Sequence, residues 1–206
     1  MCTSLVAIPD SFGQLSNLVL VRLDYTAISQ LSAASMSNLT SLQVLYMNTM
    51  FLEALPDTFG THFPSLLGIY LDHNKLSSIP PALCSGTPML QLLDISSNSL
   101  TQLPPCIGNA MPSLQALSIA NNPIYQLPAD FGVGLPILIE LYAYQTNISS
   151  LPQGFSGLTN LQLLTLAGNQ LSSLPSWLAP SMPLLLNLSL AYNQLTALPS
   201  NMAQLT

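Results

Sequence analysis

One short pattern of apolar residues recurs along the whole chain and constrains its fold more than any other feature. The pattern reads L-x-x-L-x-L-x-x-N-x-L-x-x-L-P, as in residues 161–175. The same frame, with isoleucine in place of some leucines, occupies residues 66–80, 90–104, 114–128 and 185–199. A pattern repeated at fixed spacing indicates a stack of like units rather than an ordinary globular core.

The asparagine position of the pattern can be followed through eight repeats. It is occupied by Thr26, Met50, Asn74, Asn98, Asn122, Thr146, Asn169 and Asn193. Successive positions lie 24 residues apart, with a single gap of 23. A partial copy precedes them, so the sequence predicts one domain over residues 1–206, with a partial coil at 1–17 and eight coils at 18–206.

The pattern resembles that of the leucine-rich-repeat family, and the resemblance covers essentially the whole chain. The 24-residue form is most similar to the class common in extracellular and receptor ectodomains. The resemblance implies an α/β solenoid: a right-handed coil with a parallel β-sheet on its concave face and short helical turns or irregular segments on its convex face. It also implies a non-enzymatic module that binds protein through the concave face.

The physics of each position agrees with this interpretation. The x-L-x-L-x segment alternates with period two, so its leucines point inward, and eight strands about 4.8 Å apart give a sheet of about 40 Å. The asparagine amide can form hydrogen bonds with backbone groups of neighbouring coils. Without it, these buried groups would lack partners. Thr26 and Thr146 can do part of this, whereas Met50 cannot, so we expect a local irregularity in the second coil. The 17 prolines disfavour long convex helices.

The two ends of the chain carry no recognisable cap. The chain begins inside a coil, ends at Leu205–Thr206 soon after the eighth coil, and has no cysteine-rich flank. End coils of a solenoid need polar caps, because a single coil cannot bury its own leucines. We therefore expect either an interior fragment or a stack that like chains continue.

Composition excludes several classes of partner. Only Arg22 and Lys75 are basic, and the formal net charge is −6. Two cations cannot neutralise a phosphate backbone or an anionic membrane surface, so nucleic acid is not expected. There is no apolar run of transmembrane length, and no signal peptide is visible. With only 5% charged residues, the chain is prone to self-association.

No arrangement of residues indicates catalysis, a metal or a cofactor. His62 and His73 are the only histidines, and His73 is interpreted as a polar residue at the rim of the sheet. The glycines form no phosphate-binding motif, and cysteine and histidine lack zinc spacing. Three oxygen-bearing side chains, Asp24, Asn48 and Asp72, fall in one column but make a poor calcium cage. The sequence therefore predicts no enzyme and no cofactor.

Cysteines and glycosylation motifs bear on the compartment. Cys84 and Cys106 fall on adjacent coils, where their α-carbons can approach disulfide distance; two partly buried thiols are the alternative. Cys2 is expected to have no partner within the chain. Candidate glycosylation sites are Asn38, Asn147 and Asn187, although about three such motifs would arise by chance in this composition. A glycan at Asn187 would obstruct the concave sheet.

The outward residues of the concave strands are the candidate binding surface. Coils one to four present larger and more polar residues than coils seven and eight. The predicted surface consists of Arg22, Asp24, Tyr46, Asn48, Tyr70, Asp72 and Asp94, with Tyr142 and Tyr144 added from the sixth coil. Tyrosine is enriched at interface hot spots, although it also suits any exposed strand.

Three functions remain open on the sequence alone. The first is a protein-binding module of a secreted or cell-surface protein of receptor or adhesion type. The second is a structural solenoid that self-associates into fibre or extracellular matrix. The third is a cytosolic scaffold or adaptor, which reduced thiols and unglycosylated asparagines would favour.

Overall fold

A computed structural model describes residues 4–204, which form one stack of coils. Each coil contributes a three-residue strand, and the strands are β1 (Leu20–Arg22), β2 (Val44–Tyr46), β3 (Gly68–Tyr70), β4 (Leu92–Asp94), β5 (Ala116–Ser118), β6 (Glu140–Tyr142), β7 (Leu163–Thr165) and β8 (Asn187–Ser189). The expectations for Cys2 and for the chain ends at Thr3 and Leu205–Thr206 lie outside the described residues.

The strands form one parallel sheet in sequence order, from β1 to β8. Each central leucine or isoleucine pairs with its equivalent one coil later, for example Leu45 with Ile69 and Ile69 with Leu93. The register continues across the 23-residue coil, where Leu141 pairs with Leu164. This single open sheet with consecutive strand order confirms the predicted α/β solenoid.

The convex side carries only short helices. They are α1 (Ala82–Gly86), α2 (Cys106–Asn109) and α3 (Leu178–Ser181), with 3-10 helices at Asp10–Gln14, Ala34–Met36, Gln153–Gly157 and Ser200–Gln204. Prolines immediately precede α1 and α2, where their fixed φ suits the start of a helix. The prediction of short convex turns is therefore confirmed.

The core is one continuous apolar cluster between the sheet and the convex side. The central strand residues Leu45, Ile69 and Leu93 are completely buried, as the period-two pattern requires. On the convex side, the rings of Phe131 and Phe155 stack across adjacent coils with centroids 5.9 Å apart. Full burial of such a side chain contributes roughly 1.5–3 kcal/mol, so stacking of coils supplies the main driving force.

A ladder of buried asparagines connects consecutive coils. The amide nitrogen of Asn98 donates to the carbonyl oxygens of Leu71, one coil earlier, and Ile95, at 3.0 and 3.1 Å. Its side-chain oxygen accepts from the backbone N–H of Leu76 at 2.9 Å. Equivalent bonds are made by Asn74, Asn122, Asn169 and Asn193. Each amide thus pairs backbone groups that would otherwise be buried without partners.

The positions without asparagine behave differently from one another. Thr26 and Thr146 are buried, and each hydroxyl donates to a carbonyl three residues earlier in its own coil. Met50 is buried as well, and β2 pairs in regular register with both β1 and β3. The irregularity expected at Met50 is therefore not found in the sheet, because its apolar side chain joins the core instead.

The residue before this column has a left-handed backbone in every coil. Its φ lies between 51° and 59° at Tyr25, Thr49, His73, Ser97, Asn121, Gln145 and Tyr192, and at 68° in Gly168. Such values are uncommon outside glycine and cost free energy for a β-branched residue such as Thr49. The turn that places the asparagine inward therefore imposes the same left-handed conformation eight times, and only Gly168 adopts it without steric cost.

Candidate functional site

The outward residues of the strands align across the concave face. Strand pairing places them in one central row, which reads Arg22, Tyr46, Tyr70, Asp94, Ser118, Tyr142, Thr165 and Ser189. All of them are at least partly exposed. The structure therefore brings the predicted residues from coils one to four together, with Tyr142 and Tyr144 separated from them by the row position of Ser118.

Three side chains of this row stack on one another at the β1–β3 end. The Tyr46 and Tyr70 rings are nearly parallel, at 7°, with centroids 4.6 Å apart. This separation is close to the spacing of about 4.7–4.9 Å between neighbouring strands, as expected for rings that project side by side from adjacent strands. The guanidinium carbon of Arg22 lies 4.5 Å from the centre of the Tyr46 ring, which is a cation–π contact.

Carboxylates flank this stack. Arg22 Nε donates to Asp24 Oδ1 at 3.2 Å, which holds the guanidinium over the ring. In the third coil, Asp72 Oδ2 lies 2.8 Å from His73 Nδ1 at the exposed rim. Within residues 4–204, no three His, Cys, Asp or Glu side chains are grouped closely enough to hold a metal ion.

A cleft of about 280 Å³ opens in the middle of the concave face. Tyr70 bounds it on one side and Tyr142 on the other, three strands away. Asp94 and Glu140 line it together with small side chains, namely Ser96 just after β4 and Ala116 and Ser118 in β5. We name this feature the tyrosine cleft.

The polar groups of the tyrosine cleft are ordered by hydrogen bonds. The hydroxyl of Tyr142 donates to Glu140 Oε2 at 2.9 Å, and Asp94 Oδ1 accepts from both the N–H and the hydroxyl of Ser96. Burial raises the pKa of Tyr142, and the bond to Glu140 raises it further. Burial also raises the pKa of Tyr70, followed by the effects of Tyr46, Asp94 and Asp72. Both phenols therefore stay neutral to a higher pH than an exposed tyrosine does.

Sequence reasoning did not include Glu140 or Ser96 in the site. Glu140 is the first residue of β6 and faces outward two positions before Tyr142, so strand alternation alone could have found it. Ser96 is buried against Asp94, which only the structure reveals.

Cys84, Cys106 and the glycosylation motifs lie away from the concave centre, except for the motif at Asn187. A disulfide links Cys84 of α1 to Cys106 of α2, with α-carbons 5.9 Å apart. Asn38 and Asn147 are exposed outside the strands, and Asn187 is exposed in β8 on the sheet. No helix within residues 4–204 has the length and apolarity needed to cross a membrane.

Comparisons with known proteins agree with this architecture. The chain is 28% identical to LRR protein LIC12759 of Leptospira interrogans, with a TM-score of 0.73 over 98% of this chain and 56% of that one. Two receptors share the fold: TLR13 in complex with ssRNA13 (24% identity, TM-score 0.81, 92% of this chain and 28% of that one), and Toll in its complex with Spatzle from Drosophila (22%, 0.84, 92% and 26%).

The chain thus spans about half of the Leptospira protein, at 56%, and only 28% and 26% of the two receptor chains. No curated protein sequence matches it. A family model described as Leucine rich repeat matches residues 48–100 and 112–171, more than half of the chain. The chain therefore belongs to the leucine-rich-repeat family, which generally serves as a non-enzymatic interaction module.

Proposed function

We propose that this chain is a protein-binding module that engages its partner through the concave face. The observation that carries the proposal is the ordered row of Arg22, Tyr46 and Tyr70, continued by the tyrosine cleft. Stacked tyrosines offer a large contact area with little entropy left to lose on binding, which is typical of interface hot spots. Among the predicted residues, Asp94 continues this row in β4, and Asp24, Asn48 and Asp72 lie two positions after the row residues of their coils as further polar groups.

The proposed setting is extracellular, as part of a receptor or adhesion protein. The disulfide between Cys84 and Cys106 supports it, because such bonds persist in oxidising compartments. Exposure of Asn38 and Asn147 leaves both accessible to glycosylation. A protein partner is proposed rather than nucleic acid, because Arg22 and Lys75 are the only basic side chains and Arg22 is paired with Asp24.

Photo-crosslinking from matched tyrosine positions tests the binding face. A benzophenone amino acid replaces Tyr46 on the concave face in one protein and exposed Tyr125, outside the strands, in another. In the cells that make the protein, we expect a discrete crosslinked partner from position 46 only. A partner captured equally from both positions, or from 125 alone, would remove the concave face from the proposal.

Intact mass spectrometry of the native protein tests the compartment. We expect mass released by glycosidase and a Cys84–Cys106 pair that resists thiol labelling. An unmodified mass with three free thiols would exclude the extracellular setting and favour a cytosolic scaffold instead.

A structural role by self-association is the second candidate. Only 5% of the residues are charged, and the last two strands present only the short side chains of Thr165 and Ser189 in the concave row. Little electrostatic repulsion therefore opposes stacking of one chain on another. Light scattering separates the candidates, since stacking predicts a mass that grows with concentration whereas a binding module stays discrete.

A further inference from the structure

On the concave face, one guanidinium group, that of Arg22, is already bound by other side chains of the same chain. Arg22 lies over the Tyr46 ring at 4.5 Å, and its Nε donates to Asp24 at 3.2 Å. A tyrosine face and a carboxylate together thus hold one planar cation at the surface of the sheet. This combination uses both the attraction of a cation to an aromatic face and a charge-assisted hydrogen bond.

The tyrosine cleft offers the same types of side chain without a cation. Tyr46 covers one face of the Tyr70 ring, so its opposite face is directed towards β4 and the cleft. Tyr142 closes the other side, and Asp94 and Glu140 supply carboxylates. Each carboxylate uses one oxygen for the bonds already described, Asp94 through Oδ1 and Glu140 through Oε2. Their second oxygens, Oδ2 and Oε1, take no part in those bonds.

Neither the arginine nor the lysine of this chain fills the tyrosine cleft. The sequence has only two basic side chains, and Arg22 is held at Tyr46 and Asp24. Lys75 follows β3 along the chain, and its Nζ lies 5.5 Å from the centre of the Phe51 ring. An arginine or lysine side chain in the cleft would therefore come from another molecule.

We propose that the tyrosine cleft binds the guanidinium group of an arginine side chain presented by a protein partner. The inference rests on the proposed function, because it names one residue type that the concave face recognises. The cleft volume of about 280 Å³ lies just below the range typical of small-molecule pockets, which suits a single side chain. The cleft has carboxylates on two different strands. A planar guanidinium, with several donors spread over its edge, can reach both more readily than a compact ammonium can.

The electrostatics favour a cation over other ligands. Asp94 and Glu140 carry negative charge into the cleft and therefore repel a carboxylate or phosphate. A purely apolar side chain would leave Asp94 and Glu140 desolvated without compensation. An arginine satisfies both the ring faces and the carboxylates.

The test uses short peptides and the whole chain labelled with carbon-13 at its tyrosine rings. Acetyl-Gly-Arg-Gly-amide is titrated first, followed by the same peptide with neutral citrulline and then with lysine. We expect saturable shifts of the Tyr70 and Tyr142 signals with a Kd of roughly 1–10 mM, since a single contact of this kind is weak. The citrulline peptide should cause no saturable shift, and lysine should bind at least about three-fold more weakly.

Two double variants of equal charge provide the matched comparison. Asp94→Asn with Glu140→Gln removes both carboxylates of the cleft while keeping oxygen acceptors for Ser96 and Tyr142. Glu53→Gln with Asp57→Asn removes two exposed charges outside the strands. We expect at least ten-fold weaker arginine binding in the first protein and a change of less than two-fold in the second.

The outcomes separate this inference from the proposed function. Shifts at Tyr70 and Tyr142 that are equal for arginine and citrulline, or unchanged in Asp94→Asn/Glu140→Gln, would overturn the inference. Equal binding of lysine would overturn the selection of guanidinium. The peptide titration needs no natural partner, so a crosslinked partner at position 46 together with failed arginine binding would refute the inference alone.

Discussion

The side-chain oxygen of Asn98 accepts a hydrogen bond from the backbone N–H of Leu76, which lies one coil earlier, at 2.9 Å. The same amide donates to carbonyl groups of both coils, so one side chain satisfies buried backbone on two turns of the solenoid. Leaving such a group without a partner costs about 1–3 kcal/mol. The ladder therefore fixes the spacing of the coils as well as stabilising each turn.

Asn98→Leu should lower the free energy of unfolding by about 3 kcal/mol, because the substitution removes the acceptor of Leu76 and two donors while adding only apolar contacts. Urea denaturation followed by circular dichroism measures the change. Asn17→Leu, at an exposed position, is the control and should shift stability by less than about 0.5 kcal/mol. Equal effects of the two substitutions would contradict a structural role for the ladder.

Thr49→Gly should stabilise the chain by about 0.5–1 kcal/mol. Thr49 is β-branched and has a φ of 54°, a conformation that glycine adopts without steric cost. The reverse change at the equivalent position, Gly168→Thr, should destabilise by about 1–2 kcal/mol, because a Cβ there also lies 3.2 Å from Gln145 Cγ. Thermal unfolding of both variants checks the opposite signs, and a loss of stability in Thr49→Gly would refute the strain argument.

The disulfide should contribute about 3 kcal/mol, as expected for a closed loop spanning 22 residues of sequence separation. Cys84→Ser with Cys106→Ser should lower the midpoint of urea unfolding accordingly. Reductant should lower the wild-type midpoint to that of the double variant and leave the variant unchanged. A wild-type protein insensitive to reductant would mean that the two thiols are not linked in solution.

Much of this fold follows from periodicity alone. The inward residues of the strands, such as Leu93 and Leu117, are completely buried as their spacing requires, and the short convex helices follow from the prolines. The sequence also led to an expected irregularity at Met50 that the sheet does not show, because an apolar side chain can join the core where a polar one would bridge coils.

Other features depend on geometry that a residue pattern does not contain. The left-handed turn holds residues as different as Tyr25 and Thr49, so no residue type marks it. The tyrosine cleft arises because the short side chains of Ala116 and Ser118 in β5 lie between Tyr70 in β3 and Tyr142 in β6. The sequence pattern marks each tyrosine separately as an outward strand residue, whereas the space between Tyr70 and Tyr142 depends on the folded sheet.

Gly86→Ala should destabilise the chain by more than about 2 kcal/mol. A Cβ at this position would lie 2.1 Å from the carbonyl oxygen of Gly60, so the backbones of two coils would have to separate. Gly68→Ala is the matched control, since a Cβ there meets only side-chain atoms at 3.8 Å or more. Chemical denaturation of both variants distinguishes a close approach of coils from a general intolerance of alanine.

Glu140→Gln should lower the pKa of Tyr142 towards its ordinary value and leave that of Tyr70 unchanged, because the charged acceptor stabilises the neutral phenol of Tyr142 only. A folded-state pKa above the unfolded value of 10.0 means that the stabilising effect is complete below pH 10 and is lost as the pH rises through the folded value. The free energy of unfolding of the wild type should therefore decrease above pH 10, and this decrease should be smaller in Tyr142→Phe. Ultraviolet titration of tyrosinate, with Tyr142→Phe and Tyr70→Phe to assign the two transitions, measures the shift. An unchanged titration of Tyr142 in Glu140→Gln would show that burial alone raises its pKa.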